Sequence, residues 1–147
     1  MEVRVGETGE GVIGAIARRL GEVDSVGHRL GIALEELRPG YARLAMTVDD
    51  SMVGGHGVCH GPFTFALADT AVGYACASRN VTGLSQGGDL LNVAPARQGD
   101  RLVAEASEAM VQGRTAVYDV RVSNQNGATI AMLRGRCRLF EGTFVPA

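Results

Sequence analysis

The apolar positions of this chain change their spacing several times, and each change marks an element. Val12, Ile13, Ile16 and Leu20 recur at three- and four-residue intervals, with Arg18, Arg19 and Glu22 on other sides. That one-sided pattern predicts a short amphipathic helix. Residues 1 to about 10 carry no such period and are expected to fray. From Gly31 the spacing shortens to two. Residues 31–38 read as a strand, Pro39-Gly40 as a turn and residues 41–48 as the return, where Ala42, Leu44, Met46 and Val48 alternate with Arg43 and Thr47. Asp49-Asp50-Ser51 ends that strand.

A glycine-rich stretch follows, Gly54-Gly55-His56-Gly57-Val58-Cys59-His60-Gly61, and from Pro62 about fifteen residues carry one charge, Asp69. Phe63, Ala66, Leu67 and Tyr74 fall at helical spacing while Phe65, Ala68, Val72 and Ala75 fill the other faces. A helix apolar all round is a core helix. Proline suits its first turn, where the N–H it lacks has no partner anyway. A carboxylate inside such a segment is costly unless it has partners or a task.

The rest returns to strand periodicity. Residues 81–93 form a weaker strand candidate interrupted by Gly87-Gly88, residues 94–100 a turn, and residues 101–111 a strand. Gln112-Gly113 makes a hairpin into residues 114–123, with Ala116, Tyr118, Val120 and Val122 on one face. Asn124-Gln125-Asn126-Gly127 is a second hairpin signal. The last strand, residues 128–140, sets Ala131, Leu133, Gly135, Cys137 and Leu139 against Arg134, Arg136 and Arg138. Such elements predict an α+β fold, an antiparallel sheet wrapped around one long central helix.

Composition narrows the function. The 147 residues suit a single domain, with residues 1–30 as N-terminal extension and helix and residues 31–140 as core. Fourteen basic against sixteen acidic residues argue against a general nucleic-acid binder. No apolar run reaches the roughly 18 residues of a membrane span. The start of the chain lacks the apolar core of a secretory signal, and Cys59, Cys76 and Cys137 form no CxxC pair, so a cytoplasmic location is expected. His56, His60 and Asp69 do not have the spacing of a metal set. Cys59 and His60 are adjacent, a poor arrangement for a nucleophile and its base. The glycine run has no GK[ST] and is no phosphate loop.

The motifs carry a resemblance. His56-Gly57-Val58-Cys59-His60-Gly61, Phe65-x-Leu67-Ala68-Asp69-Thr70-Ala71, Ala94-Pro95-Ala96-Arg97-x-Gly99-Asp100 and the run from Gly113 to Val120 resemble the hotdog-fold acyl-CoA thioesterases, in the phenylacetate-degradation (PaaI-like) branch. The likeness spans about residues 31–140. It implies a hotdog fold and hydrolysis of an aryl- or medium-chain acyl-CoA to free acid and CoA, with no metal and no cofactor beyond the CoA of the substrate. It implies that the backbone N–H of Gly61 polarises the thioester carbonyl, with His60 beside it. Asp69 then attacks the carbonyl directly or activates water; the sequence does not choose.

On the same grounds His56, Gly54, Phe65 and Ser85 fall at substrate-binding positions, Ser85 matching a family Ser or Thr that touches the nucleophile or the water. The acyl group is expected between two central helices, lined by Phe63, Phe65 and Leu67. Arg97, Arg114 and Arg136 are candidates for the CoA phosphates, because guanidinium forks suit phosphate oxygens. The chain departs from the pattern twice. Gly54 stands where the family carries Asn or Gln, so a side-chain amide is missing, and Pro62 removes one backbone amide at the helix start.

Gly61 and Asp69 are eight residues apart, about 12 Å along one helix, too far for one carbonyl to touch both. The working pair is therefore expected from two antiparallel helices of a homodimer, assembled further into a homotetramer as a dimer of dimers. Two alternatives stay open: a hotdog module that binds acyl-CoA without cleaving it, which Gly54 favours, and a hydratase or dehydratase, whose surrounding motifs are absent.

Overall fold

The computed structural model describes residues 4–5 and 10–146. Most of the stretch expected to fray lies outside the described residues. Arg4–Val5 form a two-residue strand, β1, parallel to Glu36 and Leu37. The first helix, α1 (Glu10–Val23), extends beyond the predicted stretch at both ends and buries Ile13, Ile16 and Leu20 while Arg18, Arg19 and Glu22 stay in solvent. A second helix, α2 (Ser25–Leu30), was not anticipated from the pattern. Asp24 caps it by accepting the Gly27 N–H at 2.9 Å, and Gly31 closes it at φ +68°. Only a left-handed residue ends a helix that way, and glycine adopts it without penalty. Strand β2 (Ala33–Arg38) accordingly starts two residues later than the alternation implies.

Strand β3 (Tyr41–Thr47), a short 3₁₀ turn (Asp50–Met52) and the glycine-histidine stretch lead into α3 (Gly61–Ala77). Then come β4 (Thr82–Asn92), β5 (Arg101–Gln112), β6 (Thr115–Ser123) and β7 (Thr129–Phe140). The sheet order is β1-β2-β3-β5-β6-β7-β4, antiparallel throughout from β2 to β4. β4, from the middle of the sequence, thus ends up at an edge, paired among the described residues only with β7. The sheet wraps α3, whose Leu67, Ala68, Ala71, Val72 and Ala75 are fully buried against Leu44, Met46, Leu102, Tyr118 and Val122. Each of the larger aliphatic side chains contributes about 1.5–3 kcal/mol on burial. The approach is close: a methyl group on Gly135 of β7 would sit 3.0 Å from Val72 Cγ2. Leu67, expected along the acyl site, is fully inside this core and so cannot line it.

Gly87-Gly88 does not break β4. The strand runs through with a bulge between Ser85 and Gly87, where Gly87 takes φ +109°. The extra residue re-aims the side chains before it, as bulges do. Gly135 and its buried neighbours face α3, so Arg134, Arg136 and Arg138 point away from the helix on the outer sheet face, as the alternation implied.

Candidate active site

The glycine-histidine stretch is folded by its backbone. Gly54 N–H donates to the Val58 carbonyl at 2.9 Å, and Gly57 closes the turn at φ +76°. Cys59 N–H donates to the Ala96 carbonyl at 2.7 Å and His60 N–H to the Met52 carbonyl at 2.8 Å. These bonds hold the loop against the start of α3. The result is a cavity of about 460 Å³ whose wall includes Gly54, His56, His60, Gly61 and Phe63. Five residues expected at the site from the sequence are therefore brought together. His60 is the N-cap of α3 but makes no side-chain capping bond. Its Cδ2 lies 4.0 Å from where a Cβ on Gly54 would be, so the imidazole borders the vacant position. Gly61 N–H donates to no acceptor among the described residues. At a helix start such an N–H, backed by the helix dipole, is suited to an oxyanion.

Asp69 lies two turns further along α3, half-buried, and its Oδ1 accepts the Ser85 hydroxyl at 2.7 Å. Ser85 Oγ in turn accepts the Gly87 N–H at 3.2 Å. The bulge therefore fixes the hydroxyl, and the hydroxyl fixes the carboxylate. Asp69 borders neither the Gly61 cavity nor its neighbour, so within one chain the acid and the free amide stay apart.

The remaining residues are dispersed. Phe65 packs half-buried against the core, whereas Phe63 lines the cavity. Arg97 pairs through its backbone with Val58, at the rim of the loop. Arg114 sits at the β5–β6 hairpin, 3.9 Å from Glu141, and Arg136 lies on the outer sheet face. The three arginines do not converge within one chain. Arg134 is held by Asp119 through two bonds of 2.7 and 3.0 Å. Cys59 is half-buried, and burial pushes its thiol up despite a Thr64 hydroxyl contact. A thiol held neutral is a weak nucleophile.

Sequence reasoning missed Asn92. It faces α3 at the end of β4 and shares with Cys59, Gly61 and Thr64 a second cavity of about 350 Å³. The alternation that would have shown this is shifted by the bulge.

Comparison with known proteins agrees with the motifs. The family model described as thioesterase superfamily matches residues 56–131. The chain is 35% identical over 127 residues to acyl-coenzyme A thioesterase PaaI of Escherichia coli, covering 86% of this chain and 91% of that one. The solved structure of the E. coli PaaI protein from the phenylacetic acid degradation operon superposes with a TM-score of 0.86 at 34% identity, over 89% of this chain and 95% of that one. The TT0310 protein of Thermus thermophilus does so with a TM-score of 0.76 at 31% identity, over 80% and 98%. Sequence identity over most of both chains and a closely superposing fold agree, and the chain belongs to the hotdog-fold thioesterase superfamily, in its PaaI-like branch, a family of thioester hydrolases.

Proposed function

We propose that the chain is an acyl-CoA thioesterase whose sites form between two copies. The observation that carries this is the Asp69 carboxylate, oriented by Ser85 on an otherwise apolar helix. In the proposed reaction Gly61 N–H receives the thioester carbonyl oxygen, and Asp69 of the facing copy attacks the carbonyl carbon or takes a proton from the attacking water. On direct attack the C–S bond breaks to leave an acyl–Asp69 anhydride, which water then hydrolyses. On general-base attack water adds to the carbonyl and the C–S bond breaks directly. Either way the acid and CoA leave, the thiolate taking up a proton that water supplied. Direct attack puts the carboxylate about 3 Å from the carbonyl carbon, and general-base catalysis puts it one water molecule further away. His60 and His56 border the carbonyl end of the cavity, and Gly54 leaves room beside them.

Support for the dimer comes from β4, an eleven-residue edge with Asp89 as its one charged side chain. A long edge of that kind is a template for another strand. Pairing two such edges antiparallel turns the separation of about 12 Å along one helix into two complete sites. Leu91 and Met132, 63% and 51% exposed, lie in register on the outer sheet face and support a further pairing of dimers through that face. An apolar cavity of about 420 Å³, lined by Leu20, Thr70, Tyr74, Leu84 and Phe144, begins one residue from both Asp69 and Ser85. Its size suits an aryl or medium-chain acyl group. Arg97, at the rim, is the best placed of the three arginines to meet CoA phosphates as substrate enters. The three free thiols support a cytoplasmic location.

The test is release of CoA thiol from a panel of aryl- and medium-chain acyl-CoAs by wild type and Asp69→Asn. Turnover lost in the variant while the dimer persists on gel filtration is the expected result; an active Asp69→Asn enzyme or an active monomer refutes the mechanism. Gly54 favours the second reading, a binding module, which wild-type binding without turnover would establish.

A further inference from the structure

We infer that Asn92 is a catalytic residue of this site, donating its carboxamide N–H to the same carbonyl oxygen as Gly61 N–H. The inference rests on the thioesterase reading above. After the Gly87 bulge, β4 alternates so that Asp89 and Leu91 pair in register with the outward residues Arg134 and Met132. Leu90 and Asn92 therefore turn toward α3. Asn92 Nδ2 comes 3.5 Å from where a Cβ on Gly61 would be. Because the amide nitrogen and Cβ of one residue are about 2.5 Å apart, the carboxamide lies within about 6 Å of the Gly61 N–H. A carbonyl oxygen accepting from both donors at about 3 Å spans that distance.

Three further observations converge. Among the residues lining the two cavities at the start of α3, Asn92 is the only side-chain amide. The two cavities are neighbours that share Val58, Cys59 and Gly61, so Asn92 and the two histidines flank the Gly61 start of α3 from different sides. Its carboxamide makes no hydrogen bond to another described residue, and the side chain is exposed, ready for a ligand. Pairing two β4 edges about a two-fold axis near Gly88 also sets the Ser85–Asp69 pair of one copy across from Asn92 and Gly61 of the other. On the loop side Gly54 offers no side-chain amide; the strand side offers one in Asn92.

The test measures kcat and KM for wild type, Asn92→Ala, Asn92→Asp and Asp69→Asn on the best acyl-CoA of the panel, with melting temperature as a control for structure. Loss of one oxyanion donor lowers kcat by about 10²–10³. Asn92→Ala is therefore expected to lose about that much in kcat, with KM changed less than about threefold and melting unchanged. The Asn92→Asp variant loses as much at pH 8, where its carboxylate cannot donate, and regains activity relative to wild type as pH falls toward about 4 and a proton returns. An Asn92→Ala kcat within threefold of wild type, beside an inactive Asp69→Asn enzyme, overturns the role of Asn92 and leaves the thioesterase reading standing. A wild-type protein that binds acyl-CoA without turnover removes both.

Discussion

Gly88 gives the sharpest test of how the site is built, because its substitution acts through β4 alone. A methyl group there would overlap the Arg134 carbonyl oxygen and sit 2.8 Å from the Gly135 Cα. Both obstacles are backbone of the neighbouring strand, so no side-chain rotation relieves them. To reach ordinary contact β4 must move off β7 by roughly 1 Å, which stretches the ladder at Gly87–Arg136, Gly88–Gly135 and Asp89–Arg134. Two or three backbone bonds weakened at about 1 kcal/mol each give a loss of about 2–3 kcal/mol. For a chain of this length that is a fall of roughly 5–12 °C in melting temperature. Gly21→Ala is the control: α1 leaves open space around it, and alanine in a helix stabilises by about 0.5–1 kcal/mol over glycine. Both are read by circular dichroism melts at one fixed protein concentration, since assembly shifts the midpoint. Ser85 and Asn92 flank Gly88 on the same strand, so kcat of Gly88→Ala falls further than the unfolded fraction explains. A Gly88→Ala protein with full activity and a melting temperature unchanged from wild type would show that β4 does not press on β7 as described.

Thiol labelling distinguishes the cysteines. Cys59 alone reacts in the native protein, more slowly at neutral pH than a free cysteine because burial raises its pKa, and faster as pH rises; Cys76 and Cys137, each 1% exposed, react only after denaturation. Cys59→Ser keeps turnover within a few fold, and an inactive Cys59→Ser enzyme would restore the thiol as nucleophile. Tyr74 donates its hydroxyl to Asp24, and burial first, Asp24 second, hold its pKa above the tyrosine range. The unfolded chain ionises that hydroxyl near pH 10 while the native state keeps it protonated. Stability from this source is therefore intact below about pH 10 and declines as pH rises above it. Tyr41 and Tyr118 are raised as well, so Tyr74→Phe removes one proton's share of the alkaline slope, about 1.4 kcal/mol per pH unit. Urea midpoints between about pH 10 and 11 check this, and an unchanged slope refutes it.

The pattern of the sequence made β3, β6 and β7 legible because apolar residues alternate along most of their length, and α3 legible because its apolar residues cover every face. Leu44 and Met46, or Val120 and Val122, cannot be buried except by a strand that alternates. Elements whose period is broken were harder. Asp24 and Gly31 bound α2 through capping geometry over six residues, too few for an apolar stripe to declare itself. In β4 one inserted residue shifts the side-chain alternation, which hid the inward turn of Asn92 while the motif still exposed Ser85. The Asp69–Ser85 contact was implied by resemblance, and the structure supplies its distance. The arginine candidates show the opposite limit. Arg97, Arg114 and Arg136 share a charge, but nothing in spacing alone reports that one lies at the loop rim, one at a hairpin and one on the outer sheet face.

The position of β4 also dictates when the fold can form as the chain is made. Its last residue is Asn92, yet the strand it pairs with among the described residues, β7, begins at Thr129. At about 5–20 residues per second of synthesis, several seconds pass before that partner exists. Throughout that interval Asp69 and Ser85 are both already present, but the strand carrying Ser85 lacks the strand it pairs with. Emergence of β7 as far as Cys137, the partner of Ser85, is thus what supplies the ladder for the Ser85–Asn92 part of β4. A message truncated before the last strand would yield every residue of the proposed catalytic site without the strand that β4 pairs with.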